Sequence, residues 1–508
     1  MKKMSFPSVR VDGLTLILGL GETGLAAARW CAQQGAHLRV LDTRAEPGGL
    51  AALRALDGAR IDCRLGPDVL AEDALQDVHT LVLSPGLSPN QEPVSAFLAM
   101  AAQRGIEVIG EIELFARALA DMAGQDYKPR VLAITGTNGK TTVTAMARQL
   151  VQAGGLAAKV AGNISPAALN ALGDALAADD LPDVWVLELS SFQLETTHTL
   201  APDAAVVLNV TQDHLDWHGS MQAYAAAKAR LLGMARIAIV NRDDEAVMGM
   251  VGNVRAMTVR SFGQGVPEYE GDLGLDGNPG MLWLTAAEAV DFDLPAAPSR
   301  RKKSQEEPLR PEGRATHLMP VDALHVRGRH NALNALAALA LARSLGLGWA
   351  NMLHALRDYM GEAHRTEFVR TIAGVDFIND SKGTNVGATV AALDGMGAPV
   401  VLIAGGLGKG QDFAPLARAV REHARAVVLI GQDAESIEQA LSDTGVRTER
   451  AATLGMAVNR GFELAQPGDT VLLSPACASM DMFRNYGHRG SSFVDEVQEL
   501  ALSRGEVA

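Results

Sequence analysis

ITGTNGKTT, residues 134–142, decides the reading of this chain. A short apolar run over 131–134 precedes it as a buried strand would. TVTAMARQLVQAG follows with helical spacing, turning Ala145, Leu150 and Val151 inward. The glycine turn therefore lies between strand and helix, where the backbone N–H groups of Gly136, Thr137, Asn138 and Gly139 and the helix N-terminus converge on one anionic spot. Lys140 reaches terminal phosphates from there, Thr141 presents a hydroxyl to Mg²⁺, and Thr142 stands beside it. The spacing, G-x-x-G-K-T, is shorter than the usual G-x-x-x-x-G-K-[ST]. The expectation is a nucleoside triphosphate site.

Working outward, 508 residues exceed one hydrophobic core and imply three domains at ~100–200 residues each. A hydrophobic fraction of 48% suffices for all of them. The net charge of -14 argues against a nucleic-acid-binding face, so any phosphate site is assembled from local basic groups. Cys31, Cys63 and Cys477 are widely spaced, without a CxxC or Cys/His cluster, which indicates neither a disulfide framework nor a zinc site and suits a reducing cytoplasm. MKKMSFPSVRVDG lacks an apolar signal core and nowhere do 18 apolar residues run together, so neither secretion nor a membrane span is expected.

The pattern is α/β throughout. LTLILGLGETG (14–24) reads as strand then glycine turn, LAAARWCAQQG as helix, and LRVLD (38–42) as a strand ending on Asp42. TLVLSPG and IEVIGEIEL continue the alternation, giving a Rossmann-like domain over 1–110. VWVLELS, AAVVLNV and IAIVN supply strands to a central P-loop, parallel-sheet domain over 111–361. FINDS, VVLIAGG, AVVLIG and DTVLLSP do the same for a second Rossmann-like domain over 362–508. The Pro- and charge-rich stretch 295–317 reads as a mobile surface loop inserted in the middle domain.

GLGETG matches G-x-G-x-x-G, and Asp42 stands 18 residues beyond Gly24 at a strand end, a geometry that grips a diphosphate and a ribose and on its own leaves NAD open. Downstream of the P-loop, Glu188 in LELSSFQLE and Asp213, His214 and Asp216 in NVTQDHLDWHG fall at or after buried strands. A carboxylate there is costly to bury without a cation, and Mg²⁺ takes oxygen ligands together with phosphates. Thr141 and Glu188 are candidates for one ion and His214 for a second.

TGTNGKT, the GN of AGNIS, ELSSFQLE, TQDHLD, AAAK ending in Lys228, GRHNALNALAA, HRTE, NDSKGTN and SPACASMD occur in the order seen in the Mur ligases, and the chain resembles that family over essentially its whole length. ELSSFQLE, SPACAS and NDSKGTN resemble the D-glutamate-adding member. The resemblance implies an ATP-dependent amide ligase of cytoplasmic peptidoglycan precursor synthesis. Such a ligase would join D-glutamate to UDP-N-acetylmuramoyl-L-alanine through an acyl phosphate; a monomer is the expectation, although the sequence itself does not reveal the oligomeric state.

By that resemblance, Lys140 holds phosphates, Thr141 and Glu188 ligate one Mg²⁺, and His214 binds another with Lys228, which the family carries as a carbamate. Asn331, Asn334, Arg365, Asp380 and Lys382 join residues 136–142 in the ATP site, with domain closure assembling it. Glu22, Thr23, Asp42, Thr43, Arg44 and Gly86 hold the UDP moiety, with Asn163 near the phosphates and the acyl group, so GLGETG is reassigned from NAD to UDP. Thr384, Lys409, Ser479, the backbone at Met480 and Tyr486 receive D-glutamate. Leu407 and Tyr486 depart from the polar residue and the phenylalanine familiar at those positions.

Overall fold

The computed structural model describes residues 4–56, 60–278, 280–289, 309–326 and 328–506. Three sheets follow one another along the chain. The first contains β1 (Leu14–Leu18), β2 (His37–Asp42), β3 (Ile61–Leu65), β4 (Val78–Leu83) and β5 (Glu107–Ile109), all parallel, in the order β3-β2-β1-β4-β5. Strand order reverses at β1 and β4, which opens a crevice beyond their carboxyl ends. IEVIGEIEL divides there: its strand stops at Ile109, and Glu111–Ala123 is a helix.

The second sheet contains β6 (Arg130–Thr135), β7 (Ala158–Gly162), β8 (Val184–Glu188), β9 (Ala204–Val207), β10 (Ala238–Asn241), β11 (Val259–Gly263), β12 (Leu273–Asn278), β13 (Met281–Glu288) and β14 (Arg314–Pro320). Its order is β14-β13-β12-β11-β10-β9-β6-β8-β7. The parallel part reads as continuous apolar runs because helices cover both faces. An antiparallel pair, β13 and β14, extends it beyond the parallel expectation. The third sheet contains β15 (Glu367–Ile372), β16 (Val375–Asn379), β17 (Val400–Gly405), β18 (Ala424–Ile430), β19 (Arg447–Arg450) and β20 (Thr470–Leu473), in the order β15-β16-β20-β17-β18-β19. Only β15 runs antiparallel to its neighbour.

The reading of 295–317 as a surface loop needs correction at its C-terminal end; residues 295–308 lie outside the described residues. Arg310 is 1% exposed, and its guanidinium donates to Asp272 Oδ1 at 2.6 Å and to the Glu270 carbonyl at 3.0 Å. Residues 314–317 belong to β14, paired with β13. A charged stretch is thus drawn inside because one arginine finds a buried carboxylate and carbonyl acceptors there.

The first two sheets share a packed joint. Trp30 and Ala27 from the helix Glu22–Gln33, Phe115 and Met122 from Glu111–Ala123, and Leu172 from Ala168–Ala177 lie in one core with Trp185 of β8. Trp185 and Phe115 meet edge to face with ring centroids 5.4 Å apart. Glu113 fastens the same joint by accepting from the His198 and Thr199 backbone N–H groups at 2.7 and 2.8 Å.

Candidate active site

β6 delivers the glycine turn to the middle of the second sheet, between β8 and β9. Gly139 has φ of +84°, a left-handed conformation that glycine adopts without penalty, and a Cβ there would lie 2.6 Å from Asn334 Oδ1. The helix Lys140–Ala153 starts directly after it and buries Val143, Met146, Ala147, Leu150 and Val151, with Ala145 partly buried. The turn is braced from the segment just after β9: Asn138 N–H donates to Asn209 Oδ1 at 2.8 Å, and Thr137 N–H to the Asn209 carbonyl at 2.9 Å.

Lys140 Nζ donates to the Gly136 and Thr137 carbonyls, each at 2.9 Å. Burial pushes its ammonium below the usual lysine range, with Glu188 pulling the other way. Glu188 ends β8 and is 2% exposed. Its Oε1 accepts from Asn163 Nδ2 at 2.8 Å, whereas Oε2 is buried without a partner. Burial pushes that carboxyl up, but Lys140, Asn163, Thr141 and Arg365 together hold it below the usual carboxylate range. After Glu188 the chain turns at once into Ser191–Glu195, capped by Ser190 and Gln193 in a reciprocal capping box, which accounts for the ELSSFQLE pattern.

His214 is left-handed at φ of +53° and heads the short helix Leu215–His218. A non-glycine residue in that region costs about 1–2 kcal/mol, and its position at a cavity wall fits a site under local constraint. Burial lowers its basicity, so the ring is neutral near pH 7. Lys228, on the helix Met221–Met234, is 1% exposed; its Nζ donates to the Gly136 carbonyl at 3.0 Å and lies 4.5 Å from the Tyr224 ring centroid. Among the described residues no carboxylate forms an ion pair with it, and burial drives its basicity well below the ordinary lysine value.

From the third sheet, Arg365 Nη2 donates to Thr141 Oγ1 at 2.6 Å and Lys382 Nζ to the same oxygen at 3.2 Å. Burial lowers Lys382 to about 8. Two neighbouring cavities result. One, of about 390 Å³, is lined by Asn138, Lys140, Asn163, Glu188, His214 and Lys228 together with Lys382, Thr384, Lys409 and Tyr486. The other, of about 260 Å³, includes Thr142, Asn331, Asn334, Arg365 and Asp380 in its lining. Asn138, Gly139, Arg365 and Lys382 line both. Asn334 Nδ2 donates to Asn331 Oδ1 at 3.2 Å. Burial raises Asp380 to about 6, and Ser474 Oγ donates to its Oδ2 at 2.7 Å.

The crevice of the first sheet faces the same region. Glu22 and Thr23 open the helix Glu22–Gln33, Asp42 ends β2 with Thr43 and Arg44 after it, and Gly86 follows β4. Glu22 Oε1 accepts at 2.8 Å from the hydroxyl of Ser165, which closely follows the cavity-lining Asn163 in the turn after β7. Asp42, 3% exposed, accepts from the Leu20 N–H at 2.7 Å and from the Arg44 guanidinium. Ser88 Oγ donates to the Trp217 carbonyl at 2.9 Å, tying the loop after β4 to the short helix that His214 heads.

Ser479 and Met480 do not line either cavity; Ser479 is buried and Met480 is 67% exposed. Sequence reasoning passed over Asn385, Gln411, Ser190, Phe192 and Tyr224, which line the larger cavity. Asn385 closes NDSKGTN and caps the helix Val386–Gly395, a cap signal readable in the sequence. Ser190 is the cap of the ELSSFQLE capping box, in which Phe192 also lies, while Gln411 and Tyr224 carry no pattern of their own.

Such a P-loop, with a buried carboxylate, a neutral histidine and a desolvated lysine walled in by cations from a third sheet, is that of a nucleotide-dependent ligase. Family models described as Mur ligase MurD-like N-terminal domain, Mur ligase middle domain and Mur ligase glutamate ligase domain match residues 14–110, 134–276 and 364–477. The chain belongs to the Mur ligase family, the ATP-dependent ligases of peptidoglycan precursor synthesis. It is 67% identical over 498 residues to the UDP-N-acetylmuramoylalanine--D-glutamate ligase of Bordetella bronchiseptica, covering 97% of this chain and 98% of that one. It is 54% identical over 500 residues to the enzyme of that name in Burkholderia mallei, covering 97% and 98%. Among solved structures, the UDP-N-acetylmuramate-alanine ligase of Thermotoga maritima shares the fold with a TM-score of 0.52 at 18% identity, covering 96% of this chain and 99% of that chain. The MurF ligase of Thermotoga maritima, solved in complex with ADP, does so with a TM-score of 0.55 at 16% identity, covering 86% and 98%. Among the described residues no helix is long and apolar enough to cross a membrane.

Proposed function

We propose that this ligase joins D-glutamate to UDP-N-acetylmuramoyl-L-alanine, releasing ADP and phosphate, as a cytoplasmic monomer. The observation that carries the chemistry is the convergence of Lys140, Lys228, Lys382, Lys409 and Arg365 on one cavity of a chain whose net charge is -14. Such a cavity suits a triphosphate, a carboxylate and an acidic amino acid meeting at one place.

A carboxylate does not acylate an amine at neutral pH. In the proposed reaction an oxygen of the alanyl carboxylate attacks the γ-phosphorus of ATP, the bond to the bridging oxygen breaks, and ADP leaves. The D-glutamate amine attacks the acyl carbon, a tetrahedral intermediate forms, and phosphate departs with the electron pair of the broken C–O bond as the nitrogen loses a proton. Lys140 holds the terminal phosphates, and Arg365 and Lys382 approach them from the third sheet. Gly136, Thr137, Asn138, Gly139, Thr141 and Thr142 cradle the chain of phosphates, and Asn331, Asn334 and Asp380 line the nucleoside end. Glu22, Thr23, Asp42, Thr43, Arg44 and Gly86 take the uridine diphosphate, and Asn163 orients the acyl end. Thr384, Lys409 and Tyr486, which line the larger cavity, take D-glutamate, whereas Ser479 and the Met480 backbone, which line neither cavity, are assigned to it by resemblance alone.

The donor set fits two divalent cations, since Glu188 Oε2 is buried without a partner and the His214 ring is neutral. Thr141 and Glu188 would hold one Mg²⁺, and His214 with carbamylated Lys228 the other. When bound, the ions offset negative charge on the phosphates and the acyl group. The desolvated Lys228 amine suits carbamylation: a neutral amine adds to CO₂, forming an N–C bond and releasing one proton.

The test offers the protein ATP, Mg²⁺ and UDP-N-acetylmuramoyl-L-alanine with D-glutamate, L-glutamate, L-lysine or diaminopimelate. Phosphate release with D-glutamate alone is expected. Equal release with another acceptor overturns the substrate assignment.

A further inference from the structure

Asn385 makes three connections across the molecule with one side chain. It is 5% exposed and caps the helix Val386–Gly395, its Oδ1 accepting from the Ala388 N–H at 2.9 Å. Its amide also pairs with the amide of Asn138 in the glycine turn, 247 residues away in sequence. Asn138 Nδ2 donates to Asn385 Oδ1 at 3.3 Å, and Asn385 Nδ2 donates to Asn138 Oδ1 at 3.1 Å. The same Asn385 Nδ2 donates to Asp213 Oδ2 at 3.3 Å, while Asp213 Oδ1 accepts from the His214 N–H at 2.9 Å. Residue 387, two positions on, is a glycine packed against the Thr211 side chain; a Cβ there would lie 2.8 Å from Thr211 Oγ1.

We infer that Asn385 is a positioning residue that registers the third sheet against the glycine turn and the Asp213–His214 loop at once. Resting on the ligase reading above, it couples the nucleotide cavity to the amino-acid cavity. Asn138 lines both cavities, and Asn385 follows Thr384, which lines the larger. Only an amide supplies what the place requires: an acceptor for Asn138 and the helix cap, and a donor for Asn138 and Asp213. Aspartate keeps the cap but sets a carboxylate against Asp213. Serine keeps the cap but is too short to span the gap.

The experiment compares Asn385→Ser, Asn385→Asp, Asn138→Ala and the double variant Asn138→Ala with Asn385→Ser, using the full chain. Because serine preserves the cap, the melting temperature of Asn385→Ser should stay near that of the parent. Its kcat should fall ~10- to 100-fold, with a smaller rise in the KM for ATP, as expected when positioning rather than ground-state binding is lost. Asn385→Asp should be slower still, and the double variant no slower than the slower single one. Small-angle scattering of the free protein supplies a readout that needs no substrate: Asn385→Ser should be more expanded than the parent. A parent inactive with D-glutamate alongside an expanded Asn385→Ser would sink the substrate reading and leave the coupling standing. Parent-like scattering and kcat in Asn385→Ser, or multiplicative effects in the double variant, would overturn the inference.

Discussion

Lys140 and Lys228 donate to one and the same acceptor, the Gly136 carbonyl, at 2.9 and 3.0 Å. Burial disfavours both ammonium groups, and the charge on Lys140 depresses the basicity of Lys228 further. The proposed carbamylation of Lys228 would turn that repulsion into attraction, because an anion would then face Lys140. Lys228→Ala is expected to cut phosphate release by ~10²–10³-fold or more, on the scale of removing one electrostatic stabiliser. High bicarbonate should leave that variant inactive, whereas a short-chain carboxylic acid filling the vacated space should restore part of the rate. Unchanged turnover in Lys228→Ala would sink the carbamate assignment.

Glu188 is the complementary case, a carboxylate kept ionised in the interior with one oxygen unpaired. Glu188→Gln preserves the bond from Asn163 Nδ2 and the shape but removes the charge. The expected result is a ~10²–10³-fold lower kcat and a higher Mg²⁺ concentration for half-maximal rate. Titrating Mg²⁺ in the phosphate-release assay reads both, and an unaltered Mg²⁺ dependence would remove Glu188 from the ion site.

Glu111 gives a pH prediction outside the site. It is 3% exposed, its Oε1 accepts from the Leu169 N–H at 2.6 Å, its Oε2 has no partner, and burial raises it to about 7. A carboxyl raised on folding contributes stability that is fully present below its unfolded value of about 4.5 and is lost as pH rises through about 7. Glu111→Gln, which resembles the protonated acid, should therefore raise the melting temperature at pH 8 and change it little at pH 4.5. The gain is at most about 3 kcal/mol, on the order of 1.4 kcal/mol for each pH unit between about 4.5 and about 7. Melting curves at both pH values check it, and an equal shift at each would refute the titration.

The Arg310–Asp272 pair makes a structural prediction. Both are nearly fully buried, and Asp272 Oδ1 also accepts from the Ser261 N–H at 2.7 Å. Removing one partner strands the other, so Asp272→Ala is expected to cost about 3–5 kcal/mol, seen in a urea midpoint. Replacing both residues by apolar ones of similar volume should recover much of that loss.

Much of the fold was legible because buried parallel strands read as unbroken apolar runs, as with VLAIT, VWVLE and VVLIAG. β14 was not legible: RATHLMP mixes polar and apolar residues without strict alternation and follows a charged stretch, and it becomes a strand only by pairing with β13. The helix beginning at Glu111 was hidden for the reverse reason, since IEVIGEIEL is apolar enough for a strand and the glycine at 110 marks where the strand stops. Within the site, Lys140 and Glu188 stood out by motif and by strand position. Asn385 offered only a helix-cap signal, which does not announce a site, and Gln411 offered none, because a single polar residue in a loop has no periodicity.

By itself the sequence determined the local chemistry: the glycine turn between strand and helix, a carboxylate at the end of an apolar run, and an ordered set of motifs that resembles one ligase family. Local geometry follows from short-range patterns of glycine, capping residues and apolar spacing, which are written in consecutive residues. Only the tertiary structure decided that Arg365 and Lys382 reach Thr141, that Lys228 is buried beside Lys140, and that Asn385 joins the glycine turn to Asp213. Those facts depend on how three sheets pack. A charge or amide hundreds of residues away acquires its partner, and its altered basicity, only when packing removes the water between them.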